Sequence, residues 1–172
     1  MRHILCTVVI YLLFCVMPCG AEVLKGGVVY TVESAREEAF SQVQYTIPME
    51  EHQKYLSDPG FQAREGKKPK ISKRGRYVTH FSDGTYAVKY CGKLDIAYYY
   101  NIYGKLEEIE YKKHSGYPYL SQKYDMNGKL VEVFFNVNKD ESFVYNADKS
   151  LSAHWIKDKC YDLNGNVIYK RN

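Results

Sequence analysis

Seven residues, Tyr124-Asp125-Met126-Asn127-Gly128-Lys129-Leu130, have the chemistry of a β-hairpin tip, and looser copies of them punctuate the C-terminal half of the chain. Tyr100-Asn101-Ile102-Tyr103-Gly104-Lys105-Leu106 comes before. Tyr145-Asn146-Ala147-Asp148-Lys149-Ser150-Leu151 and Tyr161-Asp162-Leu163-Asn164-Gly165-Asn166-Val167 come after, and Phe81-Ser82-Asp83-Gly84-Thr85 is a shortened relative. Asp or Asn at the first turn position accepts hydrogen bonds from backbone two residues on and so starts the reversal. The glycine then supplies the positive φ of a type I turn followed by a bulge. Large apolar residues on each side of the tip, such as Tyr124 and Leu130, grip across the two arms. Lys149 stands where the other copies have Gly and makes the weakest copy, because a Cβ disfavours that backbone conformation. Turn positions 84, 104, 128, 149 and 165 lie 20, 24, 21 and 16 residues apart. About twenty residues suits two strands, a tight turn and a return loop. The alternative is a set of unrelated hairpins that share common turn residues.

The 172 residues support one domain with a small appendage. Residues 1–21 have the layout of a secretory signal peptide: Arg2 and His3, an apolar run over 4–17, then Pro18-Cys19-Gly20-Ala21, with cleavage expected after Ala21. About fourteen apolar residues are too few for a comfortable transmembrane helix; the alternative to cleavage is an uncleaved anchor. A lipid-attachment role for Cys19 is poorly served by the preceding Val16-Met17-Pro18. The expected location is therefore outside the cytoplasm: periplasmic, secreted or associated with the cell surface. Loss of Arg2 leaves 23 basic and 20 acidic residues, a net +3, which by itself implies no polyanionic partner.

The mature chain keeps two cysteines, Cys91 and Cys160, and in an exported protein such a pair is a candidate disulfide. Their predicted strands lie seven spacings apart, roughly 30 Å in a flat sheet at ~4.8 Å per strand, whereas a disulfide needs Cα atoms within about 7 Å. Either the sheet curls until its ends approach, or the two thiols are unpaired. The geometry leans towards unpaired.

Residues 22–62 differ in character from the C-terminal half. The pattern predicts a first strand over 28–32, a helix over 34–42 with Ser34 as N-cap and Glu37 as its capping-box partner, and a helical turn over 50–56. Residues 63–76 are a basic loop with Arg64, Lys67, Lys68, Lys70, Lys73, Arg74 and Arg76 against Glu65 alone. Such a run is either an electrostatic clamp for an anionic membrane or cell-wall polymer, or a solvated connector. No aromatic residue interleaves it, so no nucleic-acid partner is expected. From residue 77 to 172 the chain reads as roughly ten strands, near 77–81, 85–91, 94–100, 105–112, 118–124, 129–137, 141–146, 150–157, 158–162 and 166–170. The fold class is thus mainly β: an antiparallel meander of about ten strands built from hairpin repeats of ~20 residues, with a small N-terminal α/β appendage. Leu130, Glu132 and Phe134 share one strand face and Val131, Val133 and Phe135 the other, so this strand is covered on both sides.

The Tyr-Asp-x-x-Gly-Lys/Asn-Leu/Val signature resembles bacterial YD-type repeats and the related MORN-variant repeats, over about residues 95–172. The copies are fewer than in the large YD shells, and the dense glycines of MORN repeats are missing. The resemblance implies an extended sheet, an exported or surface location, and a scaffold or binding role without chemistry.

Catalytic signals are weak. His52, His80, His114 and His154 match no helical zinc spacing, and no metal or other cofactor is expected. Glu107, Glu108, Glu110 and Glu132 could supply two carboxylates for glycoside hydrolysis, the alternative reading, but read more simply as a hydrated strand face. Tyrosine is the better signal, because its ring packs while its hydroxyl stays polar. Tyr98, Tyr100, Tyr111 and Tyr119, with Tyr99, Tyr103, Tyr117 and Tyr124, could present a stacking platform. The expectation is a non-enzymatic protein that binds a surface glycan or protein partner there, or through Lys67, Lys68, Lys70, Lys73 and Arg74, or that serves as a scaffold.

Overall fold

Each turn copy closes a hairpin, and the hairpins add side by side into one sheet. The computed structural model describes residues 29–112 and 116–171; the segment read as a signal peptide lies outside them. The element order is α1 (Val32–Phe40), a 3-10 turn (Glu50–Tyr55), β1 (Phe61–Gln62), β2 (Lys70–Ile71), β3 (Arg76–His80), β4 (Tyr86–Tyr90), β5 (Lys93–Tyr100), β6 (Leu106–Lys112), β7 (Tyr119–Asp125), β8 (Leu130–Asn136), β9 (Glu141–Asn146), β10 (Leu151–Ile156), β11 (Lys159–Tyr161) and β12 (Val167–Lys170). Strands β3 to β12 pair antiparallel in simple chain order, so the sheet is an open ten-stranded meander with β3 and β12 as its edges. This is the fold class the repeat spacing predicts.

The turn chemistry is as local as the sequence suggests. Asp125 Oδ1 accepts from the backbone N–H of Asn127 and Lys129 at 2.8 and 2.9 Å, and Asp162 holds Asn164 and Asn166 in the same way at 2.8 Å. Register shifts occur at the hairpins closed by Gly104, Gly128, Lys149 and Gly165, as a bulge next to the turn requires. Lys149 adopts φ +71°, and its ammonium lies 5.5 Å from the centre of the Phe40 ring, a contact that offsets part of the backbone strain.

Two N-terminal expectations are corrected. Val29 and Tyr30 belong to no strand, and the helix begins at Val32. Thr31, not Ser34, is the N-cap: Ser34 N–H donates to Thr31 Oγ1, and Thr31 N–H donates back to Ser34 Oγ. This reciprocal cap satisfies two helix-end donors and overrides the β-propensity of the valines before it.

Residues 30–62 lie across one face of the sheet. Helix α1 buries Ala35 and Ala39 and sits over β8 and β9. Further on, the segment makes short bridges to two equivalent turn exits. Ile47 N–H donates to Gly128 O and Leu130 N–H to Tyr45 O; likewise Asp58 N–H donates to Gly104 O and Leu106 N–H to Leu56 O, all at 2.8 to 3.0 Å. Both exits carry the same Gly-Lys-Leu. These contacts give Gly128 a role that Gly165 lacks, although the two share nearly the same backbone (φ +76° and +77°). A Cβ on Gly128 would run into the Ile47 carbonyl oxygen, whereas one on Gly165 would meet nothing. Gly165→Ala is therefore expected to cost about 1 kcal/mol, the left-handed strain alone, and Gly128→Ala about twice that. Chemical denaturation of both variants checks this; equal losses would mean that the bridge at Gly128 contributes nothing.

Candidate functional site: the uncovered sheet face

Because successive residues of a strand point to opposite faces, the pairing register sorts the sheet's side chains into two sets. On the covered face, Val88, Tyr98, Ile109, Tyr124 and Leu130 form one rung and Ile96, Tyr111, Gln122, Val133 and Tyr145 the next. Five tyrosines of this face hook the N-terminal segment through their hydroxyls. Tyr86 donates to Asp58 Oδ2 at 2.8 Å, Tyr124 to Gln44 O at 2.9 Å and Tyr145 to Val32 O at 2.7 Å. Tyr98 and Tyr111 hold the two ring nitrogens of His52, at 3.0 and 2.7 Å. Burial raises these phenols above their usual range, Tyr124 to about 12 and Tyr98 and Tyr145 further. The hydroxyls are therefore protonated at any physiological pH.

This arrangement corrects the expected tyrosine platform. Tyr98 and Tyr100 have no exposed surface, and Tyr111 lies half-buried against His52. They cannot meet a ligand while the segment covers them. Tyr119 does lie on the open face, with the Lys112 ammonium 4.7 Å from its ring centre.

The basic loop is more ordered than a plain connector. Phe61 pairs with Ile71 and Gln62 with Lys70, and Lys67, Lys68, Lys70, Lys73 and Arg74 point to solvent. Arg76 is no free cation: it starts β3 and is buried against Asp58. Cys91, exposed in the β4–β5 turn, and Cys160, buried in β11, are both free thiols. Strands β5 to β10 separate them in a sheet that does not close, so the candidate disulfide does not form.

On the open face the corresponding rungs are Thr79, Ala87, Tyr99 and Glu108, and Ala97, Glu110, Lys123 and Glu132. Large side chains surround two alanines. Ala87 and Ala97 form the floor of a groove of about 310 Å³, bounded by Tyr77, Thr79, Phe81 and Lys89 towards the β3 edge and by Tyr99, Glu110 and Lys112 towards the sheet centre. The Phe81 and Tyr99 rings are nearly parallel, 5° apart, and stack with centroids 6.2 Å from each other. Tyr99 donates to Glu110 Oε2 at 2.6 Å; burial first, then the Glu110 charge, drives its phenol far above the ordinary range.

Next to the groove, Lys123 bridges Glu108 at 3.1 Å and Glu132 at 3.5 Å, and its ammonium lies 5.2 Å from the Tyr99 ring centre. Two of the carboxylates weighed for glycoside chemistry thus share one ammonium, and a third is engaged by Tyr99. His154 stacks on Phe143 at 4.0 Å and reaches Glu141 Oε1 at 2.9 Å. Among the described residues no three metal-ligating side chains converge, and no helix is long and apolar enough to cross a membrane.

Tyr77, Phe81, Lys89, Lys112 and the two alanines escaped the sequence reading. A signal was present: Ala87 and Ala97 sit at outward positions of adjacent strands whose other members are large. The turn spacing carried no information about which parity faces outward. No family model, no curated protein and no solved structure matches this chain.

Proposed function

We propose that this is an exported, non-catalytic binding module that takes a surface glycan onto the open face of its sheet. The observation that carries this reading is the alanine-floored groove flanked by Phe81 and Tyr99 on the face that the N-terminal segment leaves bare. A pyranose has a flat C–H face and a rim of hydroxyls. The aromatic side chains along the groove, Tyr77, Phe81 and Tyr99, suit the first, and the Glu110 carboxylate, the Lys89 and Lys112 ammoniums and the Thr79 hydroxyl suit the second. The signal-like residues 1–21 and the resemblance to exported YD-type repeats support the location.

Ala97→Leu stands a branched side chain up in the groove and is expected to weaken glycan binding by about tenfold or more, some 1.4 kcal/mol. Tyr77→Ala removes one exposed wall without touching the core and should also weaken it. Binding of the purified protein to immobilised peptidoglycan and oligosaccharides, with circular dichroism of each variant, tests this. Binding that neither change alters would remove the groove from the reading.

A second reading, an assembling scaffold, draws on β12. This edge strand is exposed along its length, with Val167, Ile168 and Tyr169 between 51% and 61% accessible, and bare edges invite pairing with another chain. It predicts concentration-dependent oligomers by light scattering that Ile168→Lys abolishes.

A further inference from the structure

We infer that the hairpin formed by β1 and β2 is a second binding surface, one that docks the protein onto an anionic phospholipid bilayer. Residues 22–172 carry 23 basic and 20 acidic side chains, and seven of the basic but only one of the acidic fall within 63–76. Elsewhere 16 basic residues face 19 acidic ones, so the positive charge of the chain resides in this one hairpin. Arg76 is spent on Asp58, the nearest acid before the hairpin. The other six, Arg64, Lys67, Lys68, Lys70, Lys73 and Arg74, are all exposed, and none enters an ion pair among the described residues. Glu65 cancels at most one of them. Their backbone is held in place: Lys67 N–H donates to Arg64 O at 3.2 Å and Ser72 N–H to Gly60 O at 2.9 Å, and Arg76 Nε–H donates to Ser72 O at 2.5 Å. The cations therefore stand on a fixed frame, and binding costs less ordering than it would for a disordered run. The frame also protrudes. A Cβ placed on Gly66 or Gly75 would meet nothing within 4 Å, nor would one on Gly92, in the β4–β5 turn where Cys91 N–H donates to Gly75 O. A protruding polybasic hairpin suits a flat anionic surface, whereas a flexible polyanion is held in a groove that tracks it. Near the same junction Leu94 is 53% exposed, an apolar side chain that a bilayer interface accepts. Four of the six cations are lysines, mobile point charges rather than rigid forks that select a single phosphate.

Flotation of the purified protein with vesicles tests this, using phosphatidylcholine alone and phosphatidylcholine mixed with phosphatidylglycerol. Binding is expected to the mixed vesicles only, and should fade in about 1 M salt, where the screening length falls to ~3 Å. Each basic residue close to an anionic bilayer contributes about fivefold in affinity, so Lys67→Gln, Lys68→Gln and Lys70→Gln together should weaken binding by about a hundredfold. All three side chains are exposed, and circular dichroism of the variant should match that of the parent. Lys129→Gln, Lys139→Gln and Lys159→Gln remove the same charge from exposed positions elsewhere and should leave binding nearly unchanged. Equal losses from the two triple variants would show attraction by net charge alone and overturn the inference. Equal binding to both kinds of vesicle, or binding to neither, also overturns it, as does inorganic polyphosphate that holds the protein where vesicles do not. The glycan reading is independent of all these outcomes, because both triple variants keep every residue that lines the groove.

Discussion

Asp58→Ala is expected to lower the unfolding free energy by about 3–5 kcal/mol, the loss typical of breaking a buried ion pair from one side. The Asp58 carboxylate is wholly buried and the Arg76 side chain only 3% exposed. Both carboxylate oxygens are used: Oδ2 accepts from Arg76 Nη2 at 3.2 Å and from the Tyr86 hydroxyl at 2.8 Å, and Oδ1 accepts from Gly60 N–H at 2.9 Å and from Arg76 Nη1. Removing the carboxylate leaves a guanidinium in the interior, where solvation is poor, and orphans a buried phenol. The pair also ties the end of the N-terminal segment to the first strand of the sheet, close to the bridge at Leu56 and Leu106. Replacing both partners by apolar residues, Asp58→Leu with Arg76→Met, should recover most of the loss, because no stranded charge remains. Urea denaturation of the single and double variants measures this. A single-variant loss below about 1 kcal/mol, the range of a solvated surface pair, would contradict it.

The second large effect is acid sensitivity centred on His52. Its ring is fully buried between two phenols, and a neutral imidazole meets them with one N–H donor and one acceptor nitrogen. Burial, and then the charge of Lys93, lower its pKa below the ordinary 6.5; Glu51 acts in the opposite direction. The unfolded chain takes a proton near 6.5 while the folded imidazole stays neutral, so the unfolded state binds more protons as pH falls. Stability from this site is complete above pH 6.5 and declines as pH drops below it. The exposed turn aspartates act in a separate window. Asp83, Asp148 and Asp162 are held below the usual 3.8, by hydrogen bonds from Thr85, Ser150 and Asn166 respectively, so their contribution is lost only in stronger acid. A fall in stability between about pH 6.5 and 5 therefore belongs to the imidazole. His52→Gln should flatten that slope while keeping partners for both phenols, and an unchanged slope would assign it elsewhere. His52→Ala should cost about 2–4 kcal/mol at about pH 7, since it leaves a cavity and two phenols without partners.

These two sites explain why the covered face was hard to anticipate. Tyr98 and Tyr111 lie 46 and 59 residues from His52 in the chain, and Arg76 lies 18 from Asp58. No local pattern announces such pairs. Tyrosine suits a wet surface and a hydrogen-bonded interior equally well, so its abundance could not say which of the two it served.

By itself, the sequence determined the meander, its strand count and its turns. Asp125, Gly128 and their counterparts act within a few residues of chain, and each hairpin needs only its neighbour in order to form. The tertiary structure decided which face is buried. In β5 and β8 large apolar residues occupy both parities, so alternation there does not choose a side. The choice falls to the N-terminal segment, which pairs with the exits at Gly104 and Gly128 and meets the tyrosine hydroxyls with His52, Asp58 and its own carbonyls. That single docking event turns Tyr98 and Tyr100 into core and leaves Ala87, Ala97 and Tyr99 to line the groove.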